Sequence, residues 1–196
     1  MLLSYCVRSF ESYIRSQCKI IPLTMLKYHK KTISVVLIFF ISFSLSAEKI
    51  SVLCIGDSLT AGYGLSKEEA YPDLLKTKLI KKGYDAKVIN AGVSGNTTAG
   101  GLRRINWYKR LKVDVVILAL GANDGLRGLK VSETRKNLEK TIVVLRKNHP
   151  NAKIILAGMQ VPPNMGKDYA KKFQQIFPEL AKEKKLQLIP FLLKDV

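Results

Sequence analysis

From residue 49 onward the chain alternates between short unbroken apolar runs and longer stretches in which apolar residues recur among lysines at helical spacing. The near-continuous apolar runs 50–55 and 113–120 predict buried strands of a parallel sheet, and 86–91, 153–159 and 186–191 read as further short strands. Between them, 71–82 places Leu74, Leu75, Leu79 and Ile80 on one face, with Pro72 in the first turn and Gly83 as the stop. A weaker helix spans 97–111 and carries Trp107. The stretch 132–148 reads as a helix capped by Ser132 and closed by Pro150, and 169–185 as the last helix. Strict alternation with right-handed crossovers predicts an α/β fold, a flavodoxin-like three-layer sandwich around a five-stranded parallel sheet. No domain boundary interrupts 48–196.

In this architecture the loops 56–70, 92–98, 121–131 and 160–167 gather on the carboxyl edge of the sheet, where ligands of such folds bind. They are also the glycine-, serine- and asparagine-rich parts of the chain. Ser58 follows the first strand directly after Gly56 and is a candidate nucleophile, although Asp-Ser after a strand equally forms a helix cap or a turn. Thr60 stands where a G-x-S-x-G elbow would need its second glycine, so that motif is excluded. The GVSGN stretch at 92–96 and the GANDG stretch at 121–125 offer backbone N–H groups and an asparagine amide, the donors that acyl transfer uses to hold an oxyanion.

Hydrophobic residues make up 47% of the chain, enough for a core, and the formal net charge is +18. Residues 48–196 hold 27 basic and 14 acidic side chains. The resulting +13 of residues 48–196 raises a nucleic acid or an anionic membrane surface as partner. The lysines, however, read as spread along helix faces, with few aromatics between them and no recognition motif, which favours a solvated basic surface over either, and no nucleic-acid partner is expected. Ahead of this domain, Lys27, Tyr28, His29, Lys30 and Lys31 precede a thirteen-residue apolar stretch at 33–45 that ends in Ser44, Leu45, Ser46 and Ala47. It is shorter than the ~20 residues a membrane span needs. The pattern predicts a signal peptide over 25–47, cleaved after Ser46 or Ala47, with 1–24 an upstream over-extension of the reading frame ahead of Met25. The product is expected in the periplasm or outside the cell, without stable membrane insertion; retention as an amino-terminal anchor in the inner membrane is the alternative. Cys6 and Cys18 fall before Met25, which leaves Cys54 as a core residue of the first strand.

GDSL at 56–59, NAGVSGNT at 90–97 and GAND at 121–124 resemble the first three blocks of the SGNH (GDSL-type) hydrolases. AYPDLL at 70–75, GANDGLRG at 121–128 and MQVPPNMGKDY at 159–169 are similar to the branch of thioesterase I, lysophospholipase L1 and arylesterase. The resemblance implies that Ser58 is the nucleophile and one oxyanion donor, with Gly95 and Asn123 as the other two. It implies that Val161, Pro162, Asn164 and Met165 line the acyl site, that the substrate is a small acyl ester or thioester, and that no metal or cofactor takes part. A monomer is expected. The family's Asp-x-x-His element would follow the fifth strand, and no histidine follows Asp195. His149 belongs to the amino edge, a strand length of ~20 Å from Ser58, and reads as a helix-end residue favourable to the dipole. The chain is therefore expected to end before its last helix and its catalytic Asp and His, and to be impaired; the alternative is an inactive remnant that binds acyl chains.

Overall fold

The computed structural model describes residues 49–194. The segments 1–24 and 25–47, Cys6, Cys18, His29 and Asp195 lie outside the described residues. Five parallel strands, β1 (Lys49–Gly56), β2 (Asp85–Gly92), β3 (Val115–Ala119), β4 (Lys153–Ala157) and β5 (Gln187–Ile189), stand in the order β2-β1-β3-β4-β5. Every residue of β3 is buried, as is all of β4 after Lys153, which is why these segments read as unbroken apolar runs.

The helices are α1 (Ser58–Ala61), α2 (Tyr71–Lys81), α3 (Thr98–Arg104), α4 (Ala122–Leu126), α5 (Val131–Asn148) and α6 (Lys167–Glu183). α5 packs between α3 and α6, touching both, while α2 packs against β2. Right-handed crossovers require this division: the chain steps from β1 outward to β2, then returns across β1 to β3 and continues the other way, so α2 and the later helices cover opposite faces. The reversal opens a crevice at the carboxyl ends of β1 and β3, where Ser58 and Asn123 begin their short helices.

Several boundaries differ from the sequence reading, each for a local reason. α5 begins one residue earlier than expected, and its cap residue is Lys130 without a side-chain bond, so Ser132 lies inside the first turn. Thr97 caps α3 through its hydroxyl, which accepts the Gly100 N–H at 3.2 Å. α3 then tightens at Ile105–Tyr108 into a 3₁₀ turn and stops short of 111. Ile80 is 51% exposed, because the buried face of α2 is formed by Pro72, Leu75 and Leu79. Cys54 is fully buried in β1, as its place in the apolar run predicts. Among the described residues no helix is long and apolar enough to cross a membrane.

Candidate active site

The end of β1 is packed too closely for a side chain. A Cβ on Gly56 would lie 1.8 Å from Thr60 Oγ1 and 2.9 Å from the Ala119 carbonyl, so only glycine lets the chain turn straight into α1. Arg104, buried on α3, fastens the same point by donating from Nη2 to the Gly56 carbonyl at 2.8 Å and from Nη1 to the Tyr108 hydroxyl at 2.7 Å. The Val93 N–H also donates to the Gly56 carbonyl, at 3.1 Å, and brings the loop after β2 alongside.

Asp57 is the residue on which the site turns. Its carboxylate is fully buried; Oδ1 accepts the Leu59 N–H at 3.0 Å and so caps α1, while Oδ2 accepts Asn123 Nδ2 at 3.3 Å. The helix-cap reading of the Asp-Ser pair is met, since Asp57 caps the helix in which Ser58 is the first residue. Burial pushes the Asp57 carboxyl above its ordinary range, and the hydrogen bonds from Leu59 and Asn123 pull it partly back. An amide nitrogen carries two hydrogens, so Asn123 keeps one for another acceptor while Asp57 fixes its direction.

Behind Asn123, Asp124 is buried and accepts the Thr98 N–H at 2.7 Å and the Thr98 hydroxyl at 2.5 Å, which ties α4 to the start of α3. Gly95 has φ +76°, in the left-handed region that glycine adopts without strain, and its carbonyl accepts from Arg127 Nη2 at 3.1 Å. Ser58, Gly95 and Asn123 thus sit on three loops joined to one another by Asp57–Asn123, Val93–Gly56 and Arg127–Gly95. Sequence reading missed Asp57, Arg104 and Asp124. For the two aspartates a signal was present, because each stands directly beside a singled-out residue; Arg104 carries no such mark.

A cavity of about 360 Å³ opens at Ser58, and leucines 59, 65, 74, 192 and 193 together with Tyr71 make its walls largely apolar. Val161, Pro162, Asn164 and Met165 are not among its lining residues. Val161 and Met165 lie instead against the segment that follows Asn123: a Cβ on Gly125 would meet Val161 Cγ1 at 2.2 Å, and one on Gly128 would be 3.7 Å from Met165 Cε. The segment is braced by Tyr169, whose hydroxyl donates to the Leu129 carbonyl at 2.8 Å.

His149 ends α5 on the amino edge, opposite Ser58. Burial lowers its pKa, a hydrogen bond with the Leu111 backbone opposes that shift, and the net direction is down. The downward shift weakens the favourable charge–dipole interaction expected from its place at the helix end.

A doubly wound sheet with a serine, a glycine turn and an asparagine gathered at its switch point is the architecture of an α/β acyl hydrolase. A family model described as the GDSL-like Lipase/Acylhydrolase family matches residues 54–195, and the chain belongs to this family. It is 40% identical over 168 residues to an arylesterase of Vibrio mimicus, covering 85% of this chain and 82% of that protein. Against the thioesterase 1/protease 1/lysophospholipase L1 of Escherichia coli (strain K12) the identity is 37%, over 74% of this chain and 68% of the relative. The crystal structure of AlinE4, described as an SGNH-hydrolase family esterase, superposes with a TM-score of 0.71 at 44% identity, covering 76% of this chain and 79% of that one.

Proposed function

We propose that the protein is an exported serine hydrolase of carboxylic esters and thioesters, in which Ser58 attacks the acyl carbonyl and an acyl-Ser58 ester is the intermediate. The observation that carries the reading is the junction of Asp57, Ser58 and Asn123 beside an apolar cavity. In the attack the Ser58 oxygen bonds the carbonyl carbon and gives up its hydroxyl proton while the carbonyl oxygen takes the negative charge. Collapse breaks the C–O or C–S bond and the proton leaves with the alcohol or thiol. Water then attacks the acyl-Ser58 ester, releasing the acid and restoring the serine hydroxyl. The Ser58 and Gly95 N–H groups and the Asn123 amide are the donors we assign to that oxyanion. No metal or cofactor enters the step. The cavity volume falls in the range of small-ligand sites. We assign one arm of the substrate to it and the other to the loop bearing Val161, Pro162, Asn164 and Met165.

Among the described residues no histidine faces Ser58. His149, the one histidine among the described residues, is on the wrong edge. The 196 residues taken alone should therefore turn over p-nitrophenyl esters only at a residual rate, because loss of a triad base costs several orders of magnitude. The test compares the 196-residue chain with a form extended by a tail carrying Asp-x-x-His, each with Ser58 and with Ser58→Ala. A large gain on extension that Ser58→Ala abolishes is expected. Equal activity in both forms, or activity that survives Ser58→Ala, refutes the assignment.

Export is supported by the cationic and apolar pattern of 27–45.

A further inference from the structure

The positive charge of the chain is not evenly distributed over the fold. All five strands start at one edge, formed by Lys49 and the segments 81–85, 108–114, 146–153 and 182–187. These carry twelve Lys or Arg and only three acids. Two of the acids are engaged: Asp114 accepts the Ser51 N–H at 2.7 Å, and Glu183 pairs with Arg135 at 2.6 Å. The carboxyl-edge segments 57–70, 93–97, 120–131, 158–168 and 190–194 carry five basic and five acidic residues. The fold therefore collects onto one edge a charge that looks diffuse along the sequence.

Trp107 stands on the same edge. It lies in the turn that ends α3, is 76% exposed, and is followed by the exposed residues Lys109, Arg110 and Lys112. The turn is held there by Asn148 Nδ2, which donates to Asn106 Oδ1 at 3.1 Å. An indole so exposed contributes little to the core, and tryptophan beside Lys and Arg is the combination found at membrane–water interfaces. A second cavity of about 360 Å³ opens on this edge, lined by Arg146, Lys153 and Lys185 and by no carboxylate. The chain also enters the domain here, since the apolar stretch 33–45 precedes Lys49 at the start of β1.

We propose that the amino edge docks on an anionic phospholipid surface, with Trp107 at headgroup level, and with Lys109, Arg110, Lys112 and the Arg146–Lys153–Lys185 cavity facing lipid phosphates. Ser58, on the opposite edge, then faces away from the membrane. A nucleic acid fits less well, because single-strand binding uses several stacking aromatics and this edge exposes one large aromatic. The proposal is independent of the role of Ser58, because docking is read without turnover.

Trp107 is the only tryptophan in the chain, so its emission reports the edge directly. The full chain is titrated with vesicles of phosphatidylcholine, alone and mixed with phosphatidylglycerol, and binding is checked by flotation. A blue shift and flotation with the anionic vesicles, both lost at ~0.5 M salt, are expected. The Lys109→Gln/Arg110→Gln/Lys112→Gln variant should bind on the order of 100-fold more weakly, and Lys130→Gln/Lys167→Gln on the other edge should bind as the parent does. Equal binding to both vesicle types, an unchanged triple variant, or a larger emission change with duplex DNA than with anionic vesicles overturns the proposal.

Discussion

Asp57 holds two structures with one carboxylate, and a mutant cycle can separate them. Asp57→Ala removes the cap of α1, worth about 1 kcal/mol, and also releases Asn123. The bond to Asn123 is long at 3.3 Å, so its share belongs at the low end for a charged acceptor, about 1 kcal/mol. The single variant should therefore lose about 2 kcal/mol in urea unfolding. In the cycle with Asn123→Ala, the double variant should lose about 1 kcal/mol less than the sum of the singles. Asp57→Asn behaves differently: asparagine caps a helix as well as aspartate does, but it turns an NH₂ toward the NH₂ of Asn123.

The pH dependence adds a sign. Because burial raises the Asp57 carboxyl in the fold, its contribution to stability is fully present below the unfolded value and is lost as pH rises through the folded value. The stability of the parent relative to Asp57→Asn should thus be greatest in acid and shrink as pH rises through and above the ordinary carboxylate range. Additivity of Asp57→Ala and Asn123→Ala within ~0.3 kcal/mol would show that Asp57 does not hold Asn123 in the manner described, whereas a gap that widens with pH would show that the hydrogen bonds from Leu59 and Asn123 outweigh the burial of the carboxyl.

Asp124→Ala strands the buried Thr98 N–H and hydroxyl and should cost about 3 kcal/mol in the same unfolding assay; a loss under 1 kcal/mol would mean that water reaches Thr98. In the form extended by Asp-x-x-His, Asn123→Ala should lower kcat on the order of 10²-fold with little change in KM, and steady-state kinetics showing the reverse would make it a binding residue. Acyl-chain-length profiles should shift toward shorter chains in Leu74→Phe if the Ser58 cavity takes the acyl arm, and in Val161 or Met165 variants if the opposite loop does. A profile unmoved by all three places the arm elsewhere. Expression from Met25 in a Gram-negative host should yield a product whose amino-terminal sequence begins near Ala47 or Glu48; recovery of intact Met25 in the cytoplasm excludes export.

How much of this was legible in the chain follows from the range of the interactions involved. The strands were readable because a parallel strand buried on both faces must be apolar at nearly every position, and 115–119 and 154–157 are. Order along the chain also placed Ser58, Gly95 and Asn123 on one rim, since every βα loop of a parallel sheet emerges at the same edge. Contacts between distant segments were not readable. Asp57 and Asn123 are 66 positions apart, Arg104 and Gly56 are 48 apart, and neither pairing leaves a local pattern.

The apolar cavity likewise combines 58–74 with Leu192 and Leu193, which meet only because the segment after β5 reaches the Ser58 cavity. Charge shows the same limit. Counting lysines yields a basic protein, but only the common direction of five strands decides that the cations at the ends of different helices share one edge while Ser58 lies on the other.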